Sequence, residues 1–507
     1  QSMAARAMPM SFPTATAAGE MRGCGVTSMG HSGTIAHAVL IRATTPDRHR
    51  TSHHEKGEIG YHRLALRWVE HSSARGAQTS MYAICWAAAP EPSPSTPRLL
   101  LVSLRPSQTD PGLLVSSSPR QLVQVIALHL ADQPSSAPAL QGTKAALALV
   151  QQLAGASRAP RVLLLTTGVQ AAAVGADHAA SDAAHGGAWG LARVMRLEHP
   201  SLRVRCADAA RGSAVTTTAR QLLAFASSLD VEESACCPQH RAARLRKANA
   251  CTPCRSSCSG VYAITGGLGG LGLRAAALLV ESGCLSVLLA SRGGRVARDG
   301  QGLGDQLRGL GCAAEVAACD NSDLCDLLAL VRRAHPLNGA LHAAGTGDKG
   351  LLTEVAAFKL QWMYAPKAFG AWYLHSTTHA APLEARLLFS SVGSGLGNVG
   401  QGNYAAGNAC LDALALSCRA HGSAARTVQW PLVGGAGMGA AAFATIADLQ
   451  VAVAGMAGIS LEQYASCLAS YMASGVSVAL CVHVVHRSNV AELLQDLTDP
   501  SQSRFGE

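Results

Sequence analysis

Residues 261–280 read VYAITGGLGGLGLRAAALLV, and this stretch decides the fold of the chain around it. Its first four residues are apolar and partly β-branched, which predicts a buried parallel strand, while residues 273–280 predict a helix. Glycines fill the turn between them, where the missing Cβ lets the backbone approach a pyrophosphate and the helix N-terminus attracts its charge. The stretch therefore predicts a nucleotide site. The residues expected to line it are Thr265, Gly266, Gly267, Leu268, Gly269, Gly270 and Leu271.

The strand that follows bears on which nucleotide binds. Because the chain contains 51 glycines, a glycine-rich turn alone also fits an ordinary loop. Residues 286–290 predict a second buried strand, and Ser291 and Arg292 stand where an NAD site usually has an acidic residue. An arginine at a strand end favours a 2′-phosphate and hence NADPH. The alternative is that Arg292 is only a solvated loop cation, since Arg295 and Arg298 show that basic residues are common in this segment.

Two further strand ends complete the predicted nucleotide site. Asp320 ends a short strand and is expected to cap the loop against an adenine. Residues 339–341 predict a fourth strand, and the small residues Ala343, Ala344 and Gly345 beyond it leave room for a nicotinamide ribose. The repeated strand-helix order predicts a doubly wound α/β sheet that binds ligands at the carboxyl ends of its strands.

Four polar residues predict proton transfer beside this site. Residues 387–389 form a strand ending at Ser391, at the sheet edge where ligands bind. Tyr404 and Asn408 are four residues apart in an alanine-rich helical stretch, so they share one face. A phenol has a pKa of about 10 and is a poor acid at neutral pH unless a cation stabilises the phenolate. Lys367 is the candidate cation.

Each of these residues has a role in the predicted chemistry. Tyr404 donates the proton, Ser391 hydrogen-bonds the carbonyl oxygen, Lys367 lowers the phenol pKa and Asn408 orders a relay water. The alternative is that every one of these side chains is structural. Their order behind a glycine-rich turn favours catalysis, with NADPH supplying a hydride to a carbonyl.

The chain resembles the ketoreductase domain of modular polyketide synthases and animal-type fatty acid synthases, a branch of the short-chain dehydrogenase/reductases. The resemblance lies in residues 265–272, 291–292, 342–345, 389–391 and 400–408. Common dehydrogenases of that superfamily place lysine four residues after the tyrosine, whereas the synthase ketoreductases have asparagine there and an upstream lysine. Asn408 and Lys367 match the synthase pattern. The resemblance implies NADPH-dependent reduction of a 3-oxoacyl group, carried on the phosphopantetheine of an acyl carrier protein, to the 3-hydroxyacyl form.

The resemblance extends to both sides of the catalytic segment. Residues 82–86 and 188–200 are similar to the structural subdomain of these ketoreductases, which implies a second Rossmann-like unit without a glycine-rich loop. The expected fold class is therefore α/β, with two Rossmann-like doubly wound parallel-sheet subdomains, of which the second binds NADPH. Residues 25–40 resemble the closing motif of a ketosynthase, including its histidine at His37, but Ile35 replaces the usual asparagine. Because no nucleophilic-cysteine segment precedes the motif, we expect a remnant without condensing activity.

These similarities predict a domain organisation. The expected divisions are a ketosynthase remnant at 1–45, a linker at 46–80, a structural subdomain at 81–250, a catalytic subdomain at 251–485 and a C-terminal linker at 486–507. The expected partners are an acyl carrier protein and neighbouring polyketide synthase domains. Substrate length, hydroxyl configuration, final product and oligomeric state stay open. A redox-inactive scaffold and a reductase of a small free ketone are the alternative functions.

Composition excludes several other classes. The net charge of +9 is scattered along 507 residues with 4% aromatic residues, which fits an acidic carrier protein better than nucleic acid. The chain has no run of 18 apolar residues, so no membrane span is expected. Cys251, Cys254 and Cys258 approach zinc-ligand spacing but lack a second pair, so no metal is expected. Sixteen cysteines without a disulfide pattern indicate a reducing compartment, the cytoplasm or alternatively a plastid.

Overall fold

The computed structural model describes the chain in separate ranges. They are 23–29, 35–41, 80–89, 99–104, 123–130, 135–156, 158–170, 182–210, 225, 231–237, 239–248, 258–296, 301–435, 437, 440, 458–473, 481–485, 493–494, 497 and 499–505. The chain divides into two compact units, Gln1–Ser73 and Ala74–Glu507.

The first unit contains an antiparallel strand pair. Strands β1 (Gly23–Met29) and β2 (Ile35–Ile41) pair along their whole length, with Thr27 opposite His37. The rest of the segment predicted as a ketosynthase remnant lies outside the described residues.

The strands of the second unit form one mixed sheet, which has fourteen strands within the described ranges. The strands of the amino-terminal or structural half are β3 (Ser80–Ala88), β4 (Leu99–Leu104), β5 (Val125–Leu130), β6 (Arg161–Thr167), β7 (Arg205–Ala209), β8 (Glu233–Cys237) and β9 (Gln239–Lys247). Those of the catalytic half are β10 (Val261–Thr265), β11 (Ser286–Ser291), β12 (Ala314–Ala318), β13 (Leu337–His342), β14 (Ala385–Ser391), β15 (Ala425–Trp430) and β16 (Cys481–Val485).

Helices connect and cover these strands. The structural half has α1 (Leu140–Leu153) and α2 (Gly186–Glu198). The catalytic half has α3 (Gly270–Glu281), α4 (Leu303–Gly309), α5 (Leu324–Arg333), α6 (Ala357–Tyr364), α7 (Gly370–Thr378), α8 (Val392–Leu396), α9 (Gly402–Ala420) and α10 (Leu461–Ala473). Short 3-10 turns occupy Pro200–Leu202, Gly311–Ala313 and Ser503–Phe505. In the described ranges no helix is both long and apolar enough to cross a membrane.

The catalytic half is a parallel, doubly wound sheet. Its strand order is β12-β11-β10-β13-β14-β15-β16, so the order reverses at β10 and leaves a crevice between β10 and β13. Leu387 and Phe389 of β14 pack in one core cluster and Leu388 packs in another, as the alternation of a strand requires. Helices therefore cover both faces, and the expected α/β fold class is confirmed.

The structural half places β4 to β8 in one parallel sequence and adds β9 and β3 antiparallel. Its described strands show no reversal of order, so they form no crevice of the kind that binds nucleotides. The two halves share one continuous sheet, because β16 pairs antiparallel with β3, with His483 opposite Tyr82. The sequence predicts two subdomains but gives no sign of this shared sheet, because edge pairing has no local sequence pattern.

Helices α2 and α9 pack the two halves together. Gly190 lies so close to α9 that a Cβ there would overlap the carbonyl oxygen of Ala405. A Cβ on Gly186 would likewise overlap the Cβ of Ala413. Small residues on both helices therefore permit the close crossing. One apolar core cluster contains residues of both helices and continues into α1 and α6. The halves are therefore one packed body.

Candidate active site

Lys367 lies buried in the centre of the catalytic half. It sits on a single π-helical turn, Ala365–Phe369, between α6 and α7. Its side chain is 3% exposed, and Nζ donates a hydrogen bond of 2.9 Å to Asn408 Oδ1. A Cβ on Gly345 would lie 2.7 Å from Cε of Lys367 and 2.9 Å from its Nζ. Gly345 was expected to make room for a ribose, and its missing side chain makes room for this ammonium.

Tyr404 and Asn408 lie one turn apart on α9, as their spacing predicts. Asn408 Nδ2 donates a 2.9 Å hydrogen bond to the Tyr404 carbonyl, while Lys367 Nζ lies 5.3 Å from the Tyr404 ring centroid. Ser391 ends β14, and its Oγ accepts a 3.2 Å bond from the Gly393 amide at the start of α8. The Ser391 and Asn408 side chains also act on the Tyr404 phenol, because both oppose a rise in its pKa. The structure thus brings all four predicted residues together.

The electrostatics of this group differ in one respect from the expectation. Burial raises the pKa of the Tyr404 phenol, and the hydrogen bonds from Ser391 and Asn408 oppose that rise. The Lys367 ammonium contacts Asn408 instead of the phenol oxygen. Burial also lowers the pKa of Lys367 to about 8, against an opposing attraction from Asp412. Lys367 is therefore cationic at neutral pH and titrates just above it.

Two buried residues support the site, although the sequence assigns neither of them a role. Asp412 lies one turn beyond Asn408, and its Oδ2 accepts 2.8 Å hydrogen bonds from Ser394 and Gln429. His342 is fully buried, with Nδ1 2.8 Å from Thr265 Oγ1 and Nε2 3.1 Å from the Lys367 carbonyl oxygen. Burial lowers the pKa of His342 to about 3, so the ring is neutral. It ties the end of β10 to the turn that carries Lys367.

The glycine-rich turn fits a phosphate-bearing nucleotide. Gly266 has φ +72°, and a Cβ there would lie 2.6 Å from the backbone N and Cα of Ala344. The amides of Gly267 and Gly269 bond within the sheet and turn, to the carbonyls of Ala290 and Gly266. Helix α3 has no side-chain cap at Gly269 and no acidic residue in its first turn, so its leading amides suit an anion.

The other predicted nucleotide contacts surround this turn. Leu268 is fully buried and packs in the core. The Leu271 carbonyl accepts a 2.9 Å hydrogen bond from the Tyr464 hydroxyl. The Ala343 amide donates a 2.9 Å bond to the Thr265 carbonyl, which fixes the strand end beside the turn. Gly270 opens α3.

Ser291, Arg292 and Asp320 meet at the carboxyl ends of two neighbouring strands. Ser291 of β11 pairs with Ala318 of β12, and the Cys319 amide donates a 2.9 Å bond to the Ser291 carbonyl. Bonds from Ser322 and the nearby charge of Arg292 hold the pKa of Asp320 below its usual range. Ser291 Oγ donates to the Arg295 carbonyl at 3.2 Å. The predicted 2′-phosphate and adenine contacts are thus neighbours.

Metal ligation has no support in the described part of the chain. There, no cluster of three or more His, Cys, Asp or Glu side chains could hold an ion. Cys251 and Cys254 lie outside the described residues.

The chain is similar in sequence and in structure to known ketoreductases. Residues 260–435 match the family model of the KR domain. A solved A1-type ketoreductase is 26% identical with a TM-score of 0.71, and the match covers 84% of this chain and 97% of that one. The ketoreductase from the first module of phoslactomycin biosynthesis in Streptomyces sp. HK803 is 26% identical with a TM-score of 0.70, covering 85% and 99%.

Two polyketide synthases resemble part of the chain. The spectinabilin polyketide synthase system protein NorB of Streptomyces orinoci is 41% identical over 209 residues, which is 40% of this chain and 10% of that protein. Polyketide synthase GfsB of Streptomyces halstedii is 33% identical over 327 residues, 61% of this chain and 6% of that protein. The match thus spans a small fraction of each synthase.

The fold and the KR-domain match assign residues 260–435 to the short-chain dehydrogenase/reductase class, whose members use a nicotinamide coenzyme. Within that class, residues 260–435 are a ketoreductase domain of the kind found in modular type I polyketide synthases.

Proposed function

We propose that the chain reduces a 3-oxoacyl group, carried on the phosphopantetheine of an acyl carrier protein, to the 3-hydroxyacyl form, using NADPH. The observation that carries the proposal is the joint placement of Lys367, Ser391, Tyr404 and Asn408 at the carboxyl edge of the sheet, in the half that also contains the uncapped end of α3. Each of the four side chains contacts another of the set, an arrangement that a redox-inactive scaffold does not require.

The residues divide the work of the reaction. When bound, a nicotinamide coenzyme supplies the hydride. The first turn of α3 holds its pyrophosphate, and Arg292 meets the 2′-phosphate that distinguishes NADPH. Ser391 hydrogen-bonds the substrate carbonyl oxygen, and Tyr404 donates the proton to that oxygen.

Lys367 and Asn408 act behind Tyr404 in this mechanism. The positive charge of Lys367, held 5.3 Å from the phenol ring, stabilises the phenolate that proton donation leaves. Asn408 connects the two residues, because its Oδ1 accepts from Lys367 and its Nδ2 donates to the Tyr404 carbonyl. The relay water expected at Asn408 stays part of the proposal.

The remaining parts of the chain have roles in the same assembly. We infer that the β1–β2 unit and its flanks derive from a ketosynthase end, on the resemblance of residues 25–40. The domain divisions predicted from the sequence are proposed to hold, with one addition. Arg504 and Phe505, in the segment predicted as a C-terminal linker, are buried against the main body and contribute to its packing.

Partners and compartment follow from the relatives and the charge. An acyl carrier protein and neighbouring synthase domains are the proposed partners, and the net charge of +9 suits an acidic carrier. The cytoplasm is the proposed compartment. The relatives named above come from Streptomyces, and none supports the plastid alternative.

Cofactor choice tests the proposal directly. The purified chain should oxidise NADPH in the presence of a 3-oxoacyl thioester surrogate and use NADH much less well, because Arg292 is the proposed 2′-phosphate contact. Arg292→Ala should reduce the preference for NADPH by about tenfold, a typical value for one charge-assisted contact. Arg308→Ala, which removes an exposed arginine elsewhere in the same half, is the matched control. Unchanged selectivity in Arg292→Ala would place the phosphate contact elsewhere.

A further inference from the structure

Glu198 connects the structural half to two loops of the catalytic half. It is the last residue of α2. Its Oε2 accepts a 2.7 Å hydrogen bond from the Leu352 amide, and its Oε1 accepts a 2.7 Å bond from the Gly400 amide. One carboxylate thus bonds two backbone amides, those of Leu352 and Gly400, that lie far apart in the chain.

The two loops flank the catalytic tyrosine. The first follows β13 and the second leads into α9, on which Tyr404 lies. They bond each other as well, since the Gly350 amide donates to the Gly400 carbonyl at 2.9 Å. Asn403 Nδ2 donates to Asp348 Oδ2 at 2.7 Å, one residue before Tyr404. The Glu198 carboxylate holds this linked pair from the structural half.

The position of Glu198 is unfavourable unless these bonds form. A helix C-terminus carries partial negative charge, so a carboxylate in the last turn is repelled by its own helix. Two amide donors offset that repulsion, and each charge-assisted bond is stronger than a neutral one. Gln151 on α1 adds a second connection to the first loop, donating to the Leu352 and Val355 carbonyls at 2.8 and 2.9 Å.

We propose that Glu198 is a positioning residue that sets the spacing of residues 348–352 and 398–402, and through them the binding of the acyl substrate beside Tyr404. This inference rests on the proposed reductase function. It gives the structural half a part in substrate binding, exerted through two backbone amides. Glu198 itself touches no reacting atom.

The chemistry of the side chain allows a sharp set of variants. Glu198→Gln keeps the size of the side chain but has one oxygen and one NH2 group, so it can accept from only one of the two amides. Glu198→Ala removes both bonds. Glu281→Gln is the matched control, because Glu281 also ends a helix, α3, and its side chain is 60% exposed.

Hydrogen exchange of backbone amides, followed by mass spectrometry of peptides, tests the geometry without any need for activity. Exchange in both loops should rise by about tenfold in Glu198→Ala, in one loop in Glu198→Gln, and in neither in the control. Circular dichroism establishes that each variant is folded, and Glu198→Gln serves as the milder change. Unaltered exchange in both folded variants overturns the proposal.

Kinetics test the link to substrate. KM for a 3-oxoacyl thioester surrogate should rise by about tenfold in Glu198→Ala, with a smaller change in kcat and unchanged NADPH affinity. A rise in exchange without a rise in KM overturns the part that concerns substrate. If the wild-type chain binds NADPH and reduces no thioester, the proposed function fails, and the exchange experiment still decides whether Glu198 positions the loops.

Discussion

Lys367 shows how burial adjusts a single residue for its function. Its ammonium is buried beside Gly345, which has no side chain, and beside Asn408. Desolvation therefore lowers the pKa of Lys367 to about 8. The sequence identifies this residue as the candidate cation beside Ser391, Tyr404 and Asn408, and the resemblance to synthase ketoreductases agrees. It does not reveal that the lysine contacts the asparagine, because that contact depends on a π-helical turn with no clear sequence signal.

The lowered pKa of Lys367 predicts a pH dependence. Because the proposed mechanism needs the cationic form, kcat should fall by about tenfold for each pH unit above about 8. The stability of the fold should instead increase with pH above about 8. The folded state binds fewer protons than the unfolded chain between about 8 and the ordinary lysine value of 10.5, so the unfolding free energy rises with pH.

A pH profile of kcat, with denaturant unfolding at the same pH values, separates the two effects. Lys367→Met should be slow at every pH and lack the alkaline decline, while Lys144→Met should behave as the wild type. An alkaline decline that persists in Lys367→Met would assign it to another group.

Gly345 provides a second test at a single position. In Gly345→Ala the new Cβ would lie 2.7 Å from Lys367 Cε, so the ammonium must move. A displacement of this order should lower kcat by about 100-fold. Gly309→Ala is the control, because a Cβ there meets nothing within 4 Å. Full activity in Gly345→Ala would show that the position of Lys367 is unimportant.

At the scale of elements, the glycine-rich turn and the strand order follow from the sequence, while the crossing of α2 and α9 does not. Apolar runs and glycines give β10, α3 and the parallel sheet through local patterns. The close crossing depends on small residues of two distant segments, such as Gly190 and Ala405, that no local pattern pairs. Because α9 carries Tyr404 and Asn408, this crossing means that the structural half supports the helix of the candidate active site.

Gly190→Ala should therefore destabilise the protein. The added methyl group would overlap the Ala405 carbonyl, and overpacking of this kind costs about 1–3 kcal/mol of unfolding free energy. Denaturant unfolding measures the loss. Gly155→Ala, which adds a methyl group in open space beside α1, should leave stability nearly unchanged. Equal unfolding free energies of the two variants would mean that α2 and α9 can move apart to accommodate the methyl group without loss of stability.

At the scale of the whole molecule, a buried charge cluster joins segments far apart in the chain. Glu233 of β8 pairs with Arg193 and Arg196 of α2 at 2.8 and 2.7 Å, and with Arg504 at 3.6 Å. Arg193 donates to the Ser394 carbonyl at 2.6 Å, and Arg504 bonds the Gly395 carbonyl. The cluster thus holds α8, the helix that begins directly after Ser391. Sequence reasoning does not find this cluster, because no local pattern pairs Glu233 with the arginines of α2, and Arg504 falls in a predicted linker.

Removing the central carboxylate should be costly. Glu233→Gln leaves three buried arginines without their counter-ion, and breaking a buried pair costs about 3–5 kcal/mol of unfolding free energy. Denaturant unfolding at pH 7 measures this, with the exposed Glu354→Gln as control.

The pKa of Glu233 also predicts an acid dependence. Burial would raise that pKa, but Arg193 and Arg196 hold it well below its usual value. The stabilisation is complete above about 4.5 and is lost as the pH falls through the lower, folded value. Glu233→Gln should lack this acid-dependent component, and an acid dependence equal to that of the wild type would exclude the cluster as its source.

The most direct test of the account is thioester-dependent NADPH oxidation by Tyr404→Phe. This variant keeps the ring over Lys367 but removes the hydroxyl whose pKa Ser391 and Asn408 influence. The proposed mechanism predicts a fall in turnover of roughly 10²- to 10⁴-fold with unchanged NADPH affinity, while Tyr373→Phe on α7 stays active. Turnover near the wild-type rate in Tyr404→Phe would contradict the assignment of the proton donor.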